Sequence, residues 1–341
     1  MANINVIAGT SGTAGTIQPA IQAYYDRNLL DRAVPADVHG RFGQLRPIEK
    51  RMGNQIKFRR YENLPLATTA LTEAVTPSGS SITTTDLTAT LAQYGDFVNI
   101  SDMVDLTVQD PVLTEVGMVL GDQAGPTIDQ VRRDVMVAGT NVIYATGAAR
   151  ASQNAVLGSV ALRTAIRALN RQNAKPLREM IGASQNVSTM AVRKAFAGLV
   201  HPDTVAQLES VPGYLPVTEY SSAMQAEEDE VGAYREIRFF KSTNCKVFAD
   251  SGLAIGVDGM ISTTGVNNDV YATLIIGLNA NGVCPLSGAA MQNIIKPLGS
   301  AGAADPLNQR ATSGWKAITT TQILNHLWMV RIEHTNLSTL T

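Results

Sequence analysis

The chain has 341 residues, enough for one large domain or two modest ones around a real hydrophobic core. Hydrophobic residues make up 45% and charged residues only 16%, so weakly polar surface is left over, either for subunit contacts or as an Ala/Thr/Gly-rich free face. A formal net charge of −2 with 5% aromatic residues excludes a whole-chain basic field for gripping nucleic acid and leaves few stacking platforms for single strands. Residues 1–16 are small, polar and Gly-rich; they predict a mobile arm and lack the basic and apolar regions of a signal peptide. Ile17, Ala20, Ile21, Tyr24, Tyr25 and Leu29 recur at helical spacing and predict a short amphipathic helix over 17–30. Pro35, Gly40, Gly43 and Pro47 break the next stretch, which ends in a predicted strand over 55–61 where Ile56 and Phe58 alternate.

Charge then divides sharply. Arg27, Arg32, Arg41, Arg46, Lys50, Arg51, Lys57, Arg59 and Arg60 form a basic arm, whereas residues 62–131 contain no Lys or Arg. Glu62, Glu73, Asp86, Asp96, Asp102, Asp105, Asp110, Glu115, Asp122 and Asp129 all fall in that second stretch. Its first half, 64–100, is rich in Thr, Ser and β-formers around Pro77-Ser78-Gly79-Ser80-Ser81 and predicts a long two-stranded excursion. A hairpin of this kind is marginal by itself in water, so it is expected to lie on something else. The basic arm beside it is suited to mutual contact, within one subunit or between neighbours; a solvated surface is the bland alternative.

Asp110 as N-cap and Pro111 at the first helical position start a predicted helix over 110–138. Val112, Val116, Val119, Leu120, Ala124, Ile128, Val131, Val135 and Ala138 track its buried face, with Gly125-Pro126 as an expected kink and Gly139 as the stop. It would span roughly 40–45 Å. A second helix is predicted over 155–173, burying Val156, Val160, Leu162, Ile166 and Leu169 and carrying Arg163, Arg167 and Arg171 as a basic stripe. That stripe is suited to face DNA, or is simply a solvated or salt-bridged helix face. Residues 186–299 predict a mixed α/β region. Within it, 191–199 is a helix or strand, a helix starts at His201-Pro202-Asp203, strands follow at 235–240 and 246–249, and 270–278 is a central strand. Strands at 314–321 and 323–333 close the fold.

No chemistry emerges. There is no phosphate-loop Lys-Ser/Thr and no Gly-x-Ser-x-Gly elbow. His39, His201, His326 and His334 have no ligand-like spacing, and Cys245 and Cys284 fit no metal or redox pair. No catalytic, cofactor-binding or metal residue is therefore expected. No apolar run reaches membrane-spanning length, and the unpaired cysteines suit a reducing cytoplasm.

Several stretches resemble the major capsid family of the N-four-type podophages, a branch of tailed-phage shell proteins with the Johnson fold of the Hong Kong 97 type. They are Thr107-Val108-Gln109-Asp110-Pro111-Val112, Gly121-Asp122-Gln123-Ala124-Gly125 with Thr127-Ile128-Asp129-Gln130, and Ala138-Gly139-Thr140. His201-Pro202-Asp203, Val231-Gly232 and Ser242-Thr243-Asn244 follow. Asp305-Pro306-Leu307, Gln309-Arg310, Gly314-Trp315-Lys316 and Ile323-Leu324-Asn325 complete the ordered set. The resemblance implies an α+β fold: an N-terminal arm (1–54), an extended β-hairpin loop (55–102), a peripheral domain with a long spine helix (103–185), an axial α/β domain (186–299) and return strands of the peripheral domain (300–341). It implies self-assembly into hexamers and pentamers of an icosahedral phage head enclosing double-stranded DNA, made in the host bacterial cytoplasm. Implied partners are a portal protein, scaffold and decoration proteins, and packaged DNA by weak nonspecific contact, with no membrane and no cofactor. Some relatives weld subunits through a Lys in the extended loop; that loop is read here as Lys-free, within a stretch from Glu62 to Val131 that contains none, and the shell is expected to be noncovalent. Candidate inter-subunit residues are Arg41, Arg46, Lys50, Arg51, Arg59, Arg60, Glu62, Glu73, Asp86 and Asp96. The competing expectations are an encapsulin-like nanocompartment shell, a hydrolase with a carboxylate site around Asp102 or Asp105, and a surface or filament protein.

Overall fold

The computed structural model describes residues 4–6, 37–71, 73, 75–76, 78–103, 112–177, 195–220, 227, 229–256, 259–297, 299–300 and 305–338. In chain order the elements are strands β1 (Ile4–Val6), β2 (Gln44–Leu45), β3 (Gln55–Tyr61), β4 (Thr84–Thr90) and β5 (Ala92–Ser101), helix α1 (Val112–Val137), β6 (Val142–Tyr144) and helix α2 (Ser159–Arg171). After β7 (Phe196–Val200) and helix α3 (Pro202–Glu209) come β8 (Tyr214–Pro216), β9 (Glu230–Tyr234), β10 (Ile237–Lys241) and β11 (Val247–Phe248). The chain continues through β12 (Val270–Ile276), β13 (Asn281–Pro285), β14 (Met291–Lys296), β15 (Arg310–Ile323) and β16 (Met329–His334).

β15 organises the first sheet. One edge pairs antiparallel with β5, from Arg310↔Ser101 to Thr319↔Ala92, and the other pairs with β14 and then β13. β1 joins β5 and β2 joins β13, both parallel. Alternation along β15 turns Trp315 and Ala317 toward α1, where they meet Leu120, Ala124 and Ile128, with Tyr94 and Val98 of β5 packed alongside. α1 is the predicted long helix, with Pro126 inside it.

The second sheet runs β6-β16-β12-β7-β10-β9-β8, with β11 on β12. β7 and β12 are buried along their whole length, as strands covered on both faces must be. On one face Leu162, Leu169 and Leu208 of α2 and α3 pack against Phe196, Ile237, Phe239, Ile275, Val330 and Ile332. On the other, Ala197, Leu199, Phe240, Leu274, Ile276 and Met329 meet Met136 and Val137 from the last turn of α1. That cluster ties the two sheets together through α1.

Several expectations are corrected. Within the arm taken as mobile, Ile4–Val6 instead extend the first sheet, in register with Asn99–Ser101. The two-stranded excursion is built from 55–61 and 84–90, not from two halves of 64–100 about Pro77. β5 leaves it because Tyr94 and Val98 find cover against α1, which nothing in 63–83 can do. Lys57 stands on β3, so the hairpin itself is not Lys-free; only the stretch from Glu62 to Val131 is. The two closing strands do not return to one sheet. β15 joins the first, while β16 enters the second between β6 and β12, where Val330 and Ile332 reach the core under α2. β6 and α2 also belong to the second sheet's packing, not to that of α1. Val119 and Val160, assigned to buried faces, are 63% and 72% exposed. Residues 196–200 are strand, as the contact with β10 and β12 requires. The helix over 17–30, the Asp110-Pro111 cap, Arg27, Arg32 and Asp105 lie outside the described residues.

Candidate assembly surfaces

The hairpin carries its own ionic clamp. Arg59 and Asp86 are direct cross-strand partners, and the guanidinium grips the carboxylate with two bonds, Nε to Oδ1 at 2.8 Å and Nη2 to Oδ2 at 2.9 Å. Those hydrogen bonds hold the Asp86 carboxyl below its ordinary range and push the Arg59 guanidinium above its own. Glu62 accepts from the Thr85 hydroxyl at 2.7 Å and from Arg60 Nη2 at 2.7 Å, and both bonds lower its carboxyl. Beyond this clamp every described residue from Asn63 to Thr84 is exposed. Leu64, Leu66, Leu71, Val75 and Ile82 are among them, with Leu66 at 88%. They form an apolar file on a loop that belongs to none of the three apolar clusters.

The other candidate residues are dispersed. Arg41 lies 3.5 Å from Glu227 and over the rings of Phe42 and Phe240. Arg46, Lys50, Arg51 and Glu73 stand exposed, with Arg51 in the left-handed region at φ 70°. Asp96 accepts from Gln123 Nε2 at 2.7 Å, while Gln123 Oε1 accepts from Trp315 Nε1 at 3.0 Å, so it anchors β5 to α1. The structure thus brings together Arg59 with Asp86 and Arg60 with Glu62 inside one subunit. It sends Arg41 and Asp96 to partners that charge patterning did not suggest.

Arg163, Arg167 and Arg171 are exposed along the face of α2 that points away from the core. The β9–β10 turn adds Arg235, and the four arginines line a cleft of about 550 Å³ with Ile166 and Asn170. Arg235 is distant in sequence, and only the pairing of β9 with β10 brings it there; its one local signal is the Tyr-Arg-Glu-Ile turn between two strands.

Groups with reactive potential are committed to structure. His39 and Asp129 are fully buried: the His39 backbone N–H donates to Asp129 at 2.7 Å, its Nδ1 lies 2.9 Å from the same oxygen, and Asn244 donates from 3.0 Å. Burial alone would raise the Asp129 carboxyl, but the His39 and Asn244 contacts outweigh it and hold the group low. Burial pushes the Cys245 thiol up to about 12 and the Cys284 thiol up to about 11, which leaves both protonated and inert. His201 Nδ1 caps α3 by accepting from the Asp203 N–H at 3.3 Å. Among the described residues no group of three or more His, Cys, Asp and Glu side chains is placed to hold a metal ion. No helix among them is long and apolar enough to cross a membrane.

No protein-family model matches the sequence, and no curated protein matches it. Solved structures do match over nearly the whole chain. A chain from the capsid of Ralstonia phage GP4 is 12% identical, covering 89% of this chain and 90% of its own, at TM-score 0.63. One from the capsid of cyanophage Pam1 is 11% identical over 99% of this chain and 100% of its own, at 0.60. One from the capsid of cyanophage P-SCSP1u is 13% identical over 96% and 93%, at 0.58. At these identities the likeness is one of fold: the chain has the mixed α/β fold of phage capsid chains.

Proposed function

We propose that this chain is the major capsid protein of a tailed bacteriophage, a structural subunit that assembles with copies of itself into hexamers and pentamers of an icosahedral shell around double-stranded DNA. One observation carries the proposal: a hairpin whose described residues from 63 to 84 are all exposed, apolar side chains included, projects from an otherwise well-packed body. Such a loop is stable only against a neighbour, and a shell supplies one to every copy. The phage-capsid fold of the whole chain supports the same conclusion. In the Hong Kong 97-type arrangement, β3, β4 and the loop between them serve as the extended loop. The first sheet with α1 serves as the peripheral domain and its spine helix, and the second sheet with α2 and α3 as the axial domain. The ordered motifs between 107 and 325 favour the N-four-type podophage branch. A portal protein, scaffold and decoration proteins complete the particle, which assembles in the host cytoplasm and has no enzymatic task.

The shell is held noncovalently. The single hairpin amine, Lys57, sits in the ladder opposite Thr88, near the base and far from the exposed tip where a neighbour would be met. Electron microscopy of the purified protein should show closed isometric particles, and particles from infected cells should contain genome-length DNA. Enzyme cargo instead would identify a nanocompartment. A compact monomer at all concentrations would overturn the proposal.

A further inference from the structure

The exposed face of α2 differs from an ordinary solvated helix face in three respects. Its charges are all of one sign and all arginine, and the helix carries no Asp or Glu against which they could be balanced. Arg167, Arg171 and Arg235 form no ion pair among the described residues; Arg163 donates to the Ser159 hydroxyl at 2.9 Å. A second element converges on the same cleft. Arg235 is held at φ 52° in the turn between β9 and β10, and the one acid there, Glu236, is occupied by Asn170 Nδ2 at 3.0 Å.

We infer that this cleft is a binding site for the phosphate backbone of double-stranded nucleic acid, facing the interior of the shell; the inference rests on the capsid function proposed above. Arginines four residues apart stand about 6 Å from one another along the helix axis. Each strand of a duplex presents one phosphate per roughly 3.4 Å of axis, so a row of arginines at this spacing can meet several phosphates at once. Guanidinium forks match phosphate oxygens with two bonds each. Arg163, Arg167, Arg171 and Arg235 make up four of the cleft's six lining residues, and no acid is among the other two, Ile166 and Asn170. Half or more of protein–DNA hydrogen bonds go to phosphate and sugar and carry no sequence information, so binding here is expected to be independent of sequence. Four arginines per subunit give local grip inside a container whose overall charge stays near neutral.

The test compares the full-length protein with the triple variant Arg163→Gln/Arg167→Gln/Arg171→Gln. A control, Lys57→Gln/Lys241→Gln/Lys296→Gln, removes the same charge from exposed positions elsewhere. Affinity for a random-sequence DNA duplex is followed by fluorescence anisotropy across salt concentrations, beside microscopy of assembly. Loss of three phosphate contacts lowers the log–log salt slope by roughly 2.7, so the advantage of wild type over the arginine variant shrinks roughly 40-fold between 50 and 200 mM salt. The lysine control should keep the wild-type slope. Equal slopes for all three proteins would overturn the inference while closed wild-type particles left the capsid function standing. An arginine variant that binds DNA normally but no longer assembles would assign the cleft to a protein neighbour and overturn it too. Absence of particles from wild type would instead defeat the capsid function itself.

Discussion

A carboxylate survives burial only when its lone pairs find donors. Glu230 meets that condition with Arg238 Nε at 2.7 Å, the Tyr220 hydroxyl at 2.7 Å and the Glu227 backbone N–H at 2.9 Å. Arg238 is almost equally buried, and Glu230→Ala would take away its two short contacts and leave the longer one to Glu227 at 3.8 Å. The expected cost is about 3–5 kcal/mol, read by denaturant unfolding of the unassembled subunit, with Glu230→Gln losing less. A cost below about 1 kcal/mol would mean that water enters freely and the pair is not sealed. His334 gives a pH-dependent counterpart. It is fully buried, its Nε2 lies 2.9 Å from the Thr273 hydroxyl and its Nδ1 lies 3.2 Å from the Thr335 carbonyl. These partners suit the neutral ring, with Nδ1 donating and Nε2 accepting. Burial pushes its pKa down to about 4, below the ordinary 6.5. The unfolded chain therefore takes up the proton first as pH falls. The stabilisation is complete above pH 6.5 and is lost progressively down to about 4, by about 3 kcal/mol. Subtracting the profile of His334→Gln from that of wild type should isolate this loss, and parallel profiles would show that His334 contributes none of it.

At the scale of elements, close approach decides what the first sheet tolerates. Gly314 sits between Phe97 of β5 and Ile294 of β14, and an added Cβ would lie 2.7 Å from the Phe97 Cβ and 2.9 Å from the Asp96 carbonyl oxygen. Gly314→Ala should destabilise the subunit by about 1–3 kcal/mol. Gly79, with open space around it, should accept Ala with no change in melting temperature. Equal melting of the two variants would deny the crowding. The same scale explains what could be read from sequence. α1 was legible because its apolar positions repeat at helical period, with Leu120, Ala124 and Ile128 against the Trp315 face of β15 and Met136 and Val137 against the second sheet. α3 was legible from His201-Pro202-Asp203, which is a complete local start signal. The strand ends of the hairpin were not, because Thr and Ser suit both strand and exposed loop, and only the pull of Tyr94 and Val98 toward α1 sets where β5 departs. Val160 was misplaced because the core meets α2 through Ala161, Leu162, Ala165 and Leu169, a narrower stripe than its apolar content suggests.

For the whole molecule, the candidate surface was legible as a charge discontinuity at Glu62, but its partners were not, since pairing depends on which strands become neighbours. Arg59 with Asp86 and Arg60 with Glu62 close within the hairpin, so within one subunit these charges stiffen the loop. The exposed groups outside that clamp are the apolar file from Leu64 to Ile82 and Glu73, along with Arg46, Lys50 and Arg51 of the arm. Attachment through burial of apolar surface is insensitive to moderate salt, whereas attachment through the arm's charges would weaken over a Debye length of about 8–10 Å near physiological ionic strength. The loop can be removed without touching the cores, because none of the three apolar clusters includes a residue between 55 and 90. Replacing 63–82 by Asn-Gly should close the β3–β4 ladder with a two-residue turn and preserve the Arg59–Asp86 clamp. Thermal unfolding of that variant should match the full-length subunit to within about 0.5 kcal/mol, as for surface changes away from any core. If the loop joins copies as proposed, closed particles should vanish at every salt concentration, because the apolar file is gone. Particles of normal size from the shortened chain would show that the loop is ornamental and that the contacts closing the shell lie elsewhere on the two sheets.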